Sequence, residues 1–248
     1  GIYVEDLVLN KPLTLQSSNG FENTTIKGVM PGDNGNIQIT ADDVTIDGFT
    51  LEGKKKPVRL LAATENFIFK NNKLVSGDNT VPENGWVGIE SNYNLLHSGL
   101  QILDNTFVAN TTAQLIYINN TPDVKFSGNT LEGTMYTGGL TLGLGSFDGT
   151  QVFENNTFDI VSTYALIDIE SGTYDINDVL DDNSWLQGGV AVNNKITNTI
   201  QAAINAATAG DVIEVAAGTY NENVTVNKNI SLIGADPTTT IIDGVQAG

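Results

Sequence analysis

Apolar and polar residues alternate along this chain in short runs, and five of the runs share one template. The template reads apolar, any, apolar, any, a small or polar residue, Asn, Thr or Lys, then Leu or Phe. It is met at Val44–Leu51, Phe67–Leu74, Leu100–Phe107, Val124–Leu131 and Gln151–Phe158. The first run has Phe49 in the Asn position, and the last opens on Gln151 instead of an apolar residue. Alternation of period two predicts strands with one face buried. Further short strands are predicted at Ile37–Ile39, Val58–Leu60, Val87–Ile89, Leu115–Ile118, Leu140–Leu142 and Leu166–Ile169. Successive members of the Asn column, Asn72, Asn105, Asn129 and Asn156, stand 33, 24 and 27 residues apart.

Two or three short strands recurring about every 25 residues predict a solenoid. Strands that pair with their equivalents one turn later stack their inward residues as columns. One predicted column is Ile46, Phe69, Ile102, Phe126, Phe153, and another is Leu51, Leu74, Phe107, Leu131, Phe158. The Asn column is expected at a corner, where each amide bonds its neighbours above and below as a structural ladder. A sandwich of the same strands needs tight hairpins between them, and the connecting sequences lack that signature.

A period of 3.6 replaces period two in one place. Ile200, Ala203, Ile204 and Ala207 lie on one face of an expected helix over 198–209, with Asn198 and Gln201 as a loose capping box and Gly210 as its stop. A strand, Asp211–Val215, is expected next. After it the chain repeats its own beginning. Gly218, Tyr220, Glu222, Val224, Val226, Asn227 and Lys228 reproduce Gly1, Tyr3, Glu5, Leu7, Leu9, Asn10 and Lys11, and Thr240–Val245 echoes Thr24–Val29. Residues 218–248 are thus equivalent to 1–32. The division expected is 1–190, coils without their own N-terminal cap, and 191–248, a capping helix plus the first coil of a following repeat. The parent is expected to be an array of such modules, or a subunit whose open end a neighbour covers.

Composition narrows the function. The net charge is −18, with one Arg (Arg59) and one His (His97). Phosphate neutralisation needs clustered cations, so nucleic acid is not an expected partner. The basic run Lys54–Lys56 reads as a solvated turn. No apolar run approaches a membrane span. Without cysteine there is no disulfide, thiolate metal site or thiol catalysis. No signal peptide is visible, and Gly1 reads as a mature end or an internal cut.

The helix, the Gly-Asp at Gly210–Asp211, the strand, Gly218-x-Tyr220-x-Glu222-x-Val224 and Thr240-x-Ile242-Asp-Gly244 resemble the opening of right-handed parallel β-helix proteins of the pectin-lyase-like superfamily. The Asn-Thr-Phe/Leu coils resemble that superfamily's degenerate repeat. The resemblance implies an all-β, right-handed parallel β-helix (solenoid) with one short amphipathic capping helix. It is specific for fold and unspecific for function.

The enzymes of that superfamily imply motifs that this chain lacks. A pectate-lyase site needs calcium-binding carboxylates and an Arg, but Arg59 sits in a strand after Pro57. A polygalacturonase site needs Gly-His-Gly and Arg-Ile-Lys, but His97 lies in Leu-His-Ser and Asp42-Asp43 is an isolated turn. A pectin methylesterase shares Gly-x-Tyr-x-Glu without its catalytic sequences, so Tyr3/Glu5 and Tyr220/Glu222 read as structural. No catalytic residue and no cofactor is therefore expected. A structural calcium ion remains an alternative at Asp168, Glu170, Asp175, Asp178, Asp181 and Asp182, an acidic stretch without Lys or Arg. Glycosylation candidates are Asn23, Asn110, Asn119, Asn223 and Asn229; the sequon at Asn155 falls inside a coil strand.

The function expected is that of an extracellular or cell-surface module of a filament, sheath, surface layer or adhesin stalk, with copies of itself as partners, stacked head to tail. The alternative is a polysaccharide-acting or carbohydrate-binding β-helix. Its groove would be lined by Trp86, Tyr93, Tyr117, Tyr136 and Trp185, with Asp168 and Glu170 alternating onto one strand face.

Overall fold

The computed structural model describes residues 1–29, 35–53, 56–76, 87–92, 94–142, 150–170 and 175–244, with backbone alone for Val87, 111–113 and 136–142. Lys54, Lys55, Trp86, Tyr93 and Val245, and the side chain of Tyr136, lie outside the described residues. Strand makes up 48% of the chain and helix 6%, so the class is all-β.

Most pairing is parallel, and it joins each strand to the one a turn later in sequence. One sheet runs in chain order through Leu13–Gln16, Val44–Asp47, Ile68–Lys70, Gln101–Leu103, Lys125–Ser127 and Val152–Glu154. A second line of strands runs from Ile2–Val4 through Thr25–Lys27, Thr50–Gly53 and Lys73–Ser76 to Thr157–Ser162 and Ser184–Trp185. A third runs from Leu7–Leu9 through Ile37–Ile39, Val58–Leu60 and Val87–Ser91 to Ile167–Ile169. The long strands Thr106–Ile118 and Thr130–Leu142 belong to both lines. These parallel sheets are compatible with a parallel β-helix or solenoid.

Register makes the core columnar. Phe69 pairs with Ile46 and Ile102, and Phe126 with Ile102 and Phe153. Leu51, Leu74, Phe107, Leu131 and Phe158 align in the same way. All ten side chains are buried. The rings of Phe107 and Phe126 lie 6.3 Å apart and stacked, and Trp185 stacks on Phe158 at 4.3 Å, so aromatic contact adds to apolar burial.

The Asn corner has a local cause. The residue before each turn occupies the left-handed region: Gly48, Asn71, Asp104, Gly128 and Asn155, with φ between 52° and 81°. Gly, Asn and Asp tolerate that region best, which explains the small or polar position of the template. The following Asn then turns inward. Asn105 Oδ1 accepts from the Asn72 backbone N–H at 2.9 Å, while its Nδ2 donates to Phe69 O and Asn129 Oδ1. Asn129 and Asn156 repeat the arrangement. The ladder ends on Asn183, whose Oδ1 accepts from Asn156 N and whose Nδ2 donates to Phe153 O and Val179 O.

Three elements depart from expectation. A second helix, Ile176–Asp181, takes the place of a strand after Val152–Glu154. Asp175 caps it, and Ile176, Val179 and Leu180 are buried. The chain then leaves parallel pairing. Val190–Val192 and Lys195–Thr197 form an antiparallel hairpin through Asn193, at φ 53°. The first of these strands also pairs antiparallel with Val212–Val215, and the second with Ile167–Ile169. Finally, the expected helix over 198–209 spans Ile200–Ala206. Its cap is Thr199, whose hydroxyl accepts from Ala202 N at 3.1 Å. Asn198 instead donates to Ile160 O and Gln187 O and accepts from Ser162 N, tying the helix to the stack below.

Val190–Val192 separates two apolar clusters. Ala191 belongs to the columnar core. Val190 and Val192 face a smaller cluster with Ile200, Ala203, Ile204, Ile213, Val215 and Tyr220.

Candidate functional site

The flank and the two ends of the molecule carry its unusual side-chain groupings. On the flank, register lines up Arg59, Glu90, Tyr117, Thr141, Asp168 and Lys195 across the third line of strands. Glu90 pairs with Lys56 and Arg59, and Asp168 pairs with Lys195. A cleft of about 590 Å³ opens beside the last pair, lined by Tyr164, Asp168, Glu170, Lys195 and Asn205. The Tyr117 phenol is pushed above its ordinary pKa, first by burial and then by the charges of Glu170 and Glu90, against a hydrogen bond with Asn119.

The calcium candidates are dispersed. Asp168 and Glu170 share the cleft, but Asp175 caps the first helix, Asp178 lies in that helix's first turn, and the Asp182 N–H closes its end on Asp178 O. Asp181 is exposed. Among the described residues no three acidic or His side chains converge as a metal would require. Among the sequons, Asn23, Asn223 and Asn229 are exposed and Asn110 is half-buried. Asn119 is only 1% exposed, so a glycan there would force the coil open; that candidate is corrected. Trp185 is corrected as a groove residue, since it is buried with its Nε1 donating to Leu180 O at 2.8 Å. Asp42 and Asp43 accept from Glu65 N and Asn66 Nδ2 and so stitch one turn to the next. His97 is fully buried between Thr64 Oγ1 and Asn92 O, and burial lowers its pKa despite the Asn92 bond.

The ends are where the internal repeat meets geometry. In the C-terminal copy, Gly218–Tyr220 pairs parallel with Thr240–Ile242, placing Tyr220 beside Ile242. In the N-terminal copy, Tyr3 pairs with Ile26 in the corresponding register. The C-terminal copy grips the helix Ile200–Ala206. Tyr220 packs in the smaller cluster, and its hydroxyl reaches Gly189 O at 3.0 Å and Ala216 O at 3.1 Å. The Glu222 carboxylate accepts from Ile200 N and Gln201 N at 2.8 and 2.9 Å. Lys228 Nζ donates to Ile204 O, Asn205 O and Ala207 O at 2.8, 3.0 and 2.6 Å. An anion at the start of a helix and a cation at its end both complement its dipole and its unpaired backbone groups.

The N-terminal copy carries the same Tyr3, Glu5 and Lys11, all exposed. Tyr3 is 53% exposed where Tyr220 is 5%. Beneath it lies a hollow of about 350 Å³ lined by Tyr3, Leu7, Leu15, Ile26 and Phe49. On the opposite side of the repeat the contrast reverses. Leu9 and Ile26 are 6% and 5% exposed, while Val226 and Ile242 are 54% and 47% exposed. One copy is covered where the other is bare.

Comparison with protein-family models, curated proteins and solved structures finds no match. No helix among the described residues is long and apolar enough to cross a membrane. Sequence reasoning missed Asn183, although it stands 27 residues after Asn156 in an Asn-Ser-Trp that parallels Asn-Thr-Phe. It also missed that Glu222 and Lys228 clamp a helix; their reappearance as Glu5 and Lys11 was the signal.

Proposed function

We propose that this protein is a structural, self-associating module, a right-handed parallel β-helix of the pectin-lyase-like kind that stacks head to tail with copies of itself in a filament, sheath or surface layer outside the cell. The observation that carries this reading is the internal repeat, in which residues 218–244 reproduce residues 1–29 both in sequence and in strand register. Gly218–Tyr220 pairs with Thr240–Ile242 in the same register in which Ile2–Val4 pairs with Thr25–Lys27, so the strand edges of one copy match those of the other. Such edges are templates for further strands. A contact between unlike ends of identical subunits propagates as a fibre when its rotation does not close a ring, and stacking along one solenoid axis does not close one. Placement outside the cell is supported by the exposed sequons at Asn23, Asn223 and Asn229.

The same reading assigns the molecule no catalytic centre. Its single His is held inside the stack, and its single Arg is committed to Glu90. A second reading, carbohydrate binding, is favoured by the flank cleft, where Tyr164 stands beside Asp168, Glu170 and Lys195. Light scattering over a wide concentration range tests the first reading. Mass that grows without a fixed stoichiometry is expected, and a monomer throughout overturns it. Calorimetric titration with acidic and neutral oligosaccharides tests the second, with weakened binding in Tyr164→Ala expected.

A further inference from the structure

We propose that the flank cleft between the strand Ile167–Ile169 and the helix Ile200–Ala206 binds an amino sugar, with Glu170 taking its ammonium group and the Tyr164 ring covering its apolar face. The inference rests on the carbohydrate-binding reading and names the ligand class.

Three elements build the cleft, whose volume of about 590 Å³ falls in the range of small-ligand sites. One wall is a face of the helix. Ala202, Asn205 and Ala206 stand there at i, i+3 and i+4, opposite the buried Ile200, Ala203 and Ile204. The two alanines leave the room that longer side chains would fill. Asn205 Oδ1 accepts from Gln201 Nε2 at 3.0 Å, which leaves the amide Nδ2 to donate to a hydroxyl. The second wall is the strand pair, where Asp168 lies in register with Lys195 and Glu170 falls two residues further on. The third side is Tyr164, 62% exposed. Its N–H donates to Ser162 Oγ at 3.2 Å, and the Ser162 N–H donates to Asn198 Oδ1 at 2.9 Å. These bonds hold the aromatic turn beside the helix before a ligand arrives, so binding has little left to order.

Charge decides between ligands of similar shape. The lining holds two carboxylates, Asp168 and Glu170, and one cation, Lys195. Lys195 is committed to Asp168. Glu170 is exposed and makes no ion pair among the described residues, and its charge is felt at the Tyr117 phenol. A uronate entering here meets net negative charge and finds no uncommitted cation, and the −18 charge of the chain opposes its approach. A neutral sugar leaves Glu170 without a charged partner. A protonated amine gains a charge-assisted bond to that carboxylate. A polyamine or a lysine side chain offers the same ammonium, but no hydroxyl for Asn205 and no ring to lie on Tyr164.

Titration calorimetry on the full 248-residue chain tests this, in about 0.15 M salt to screen the general attraction of an acidic surface for cations. The probes are a glucosamine trimer, its N-acetylated form, a galacturonate trimer and trilysine. The glucosamine trimer is expected to bind. N-acetylation, which removes the charge, and Glu170→Gln are each expected to weaken binding roughly tenfold or more. Tyr164→Ala is expected to cost roughly two- to tenfold. Ala206→Leu fills the cleft without changing charge and is expected to abolish binding. Lys195→Met removes a like charge and is expected to tighten binding roughly two- to fivefold. Equal binding of the N-acetylated trimer, or an affinity unmoved by both Glu170→Gln and Ala206→Leu, overturns ammonium recognition in this cleft. Trilysine that matches the glucosamine trimer overturns the sugar assignment. A galacturonate trimer that binds more tightly than the glucosamine trimer, and loses affinity in Tyr164→Ala, overturns the inference and leaves the carbohydrate-binding reading standing. Binding of none of the sugars overturns both.

Discussion

The two ends of this molecule are one sequence element in two environments. In residues 1–29 the downstream side is buried and the upstream side is bare; in residues 218–244 the reverse holds. Tyr3 and Tyr220 occupy the same register position beside Ile26 and Ile242, yet only Tyr220 is enclosed. A side chain's burial here is set by whether the next turn of chain is present, not by its own coil. That is the energetics of a stacked repeat, where each unit is stabilised by its neighbours and the terminal units are the weak ones.

Paired substitutions at equivalent positions turn the comparison into measurements. The largest difference is expected in the column: Ile26→Ala removes a buried side chain and should cost about 2–5 kcal/mol in denaturant unfolding. Ile242→Ala, at its half-exposed equivalent, should stay within about 0.5 kcal/mol. Equal effects at the two sites would mean that the C-terminal copy is covered in solution. Next comes the hydroxyl. Tyr220→Phe leaves Gly189 O and Ala216 O short of a donor and should lower protection of the helix amides by about 1–3 kcal/mol in hydrogen exchange. Tyr3→Phe in dilute monomer should change nothing. Smaller again is the lysine. Lys228→Ala removes three bonds to the end of the helix and should cost about 0.3–2 kcal/mol locally, whereas Lys11→Ala should cost nothing in monomer.

The last test separates the stack from its ends by pH. His97 is held neutral inside the stack, with a folded pKa below its ordinary value. The unfolded chain takes up a proton below about pH 6.5. Global stability should therefore fall as pH drops from there through the lowered folded pKa, and level off below it. His97→Gln should flatten that slope. Hydrogen exchange of the Ile200–Ala206 amides, which have no His nearby in sequence, should not follow it.

Much of the stack was legible because its rules are local. A left-handed residue followed by an inward Asn and then an inward Leu or Phe is fixed by backbone geometry and period two, so both columns and the four-Asn ladder could be written down from the sequence. The helix Ile176–Asp181 escaped because its six residues, fewer than two turns, carry too few positions for the period to stand out from the acidic residues around it. The antiparallel hairpin at Val190–Thr197 escaped because its turn, Asn193-Asn194, looks like one more Asn-rich corner. The capping helix was read two residues early because Asn198 and Thr199 are both good caps, and the choice fell to Thr199 once Asn198 was used by Ile160, Ser162 and Gln187.

By itself the sequence determined that this chain stacks strands in repeating columns, and that it begins and ends on one element used twice. Local conformational preference and side-chain alternation are properties of the residues themselves, so they survive without knowledge of neighbours. Only the tertiary structure decided what that element grips. Tyr220, Glu222 and Lys228 become a clamp because the hairpin and the strand Val212–Val215 bring a helix into their reach, and Tyr3, Glu5 and Lys11 stay bare because nothing in the described chain is folded against them. Contacts between distant segments follow from how whole turns are laid on one another, and no short stretch of sequence encodes that placement.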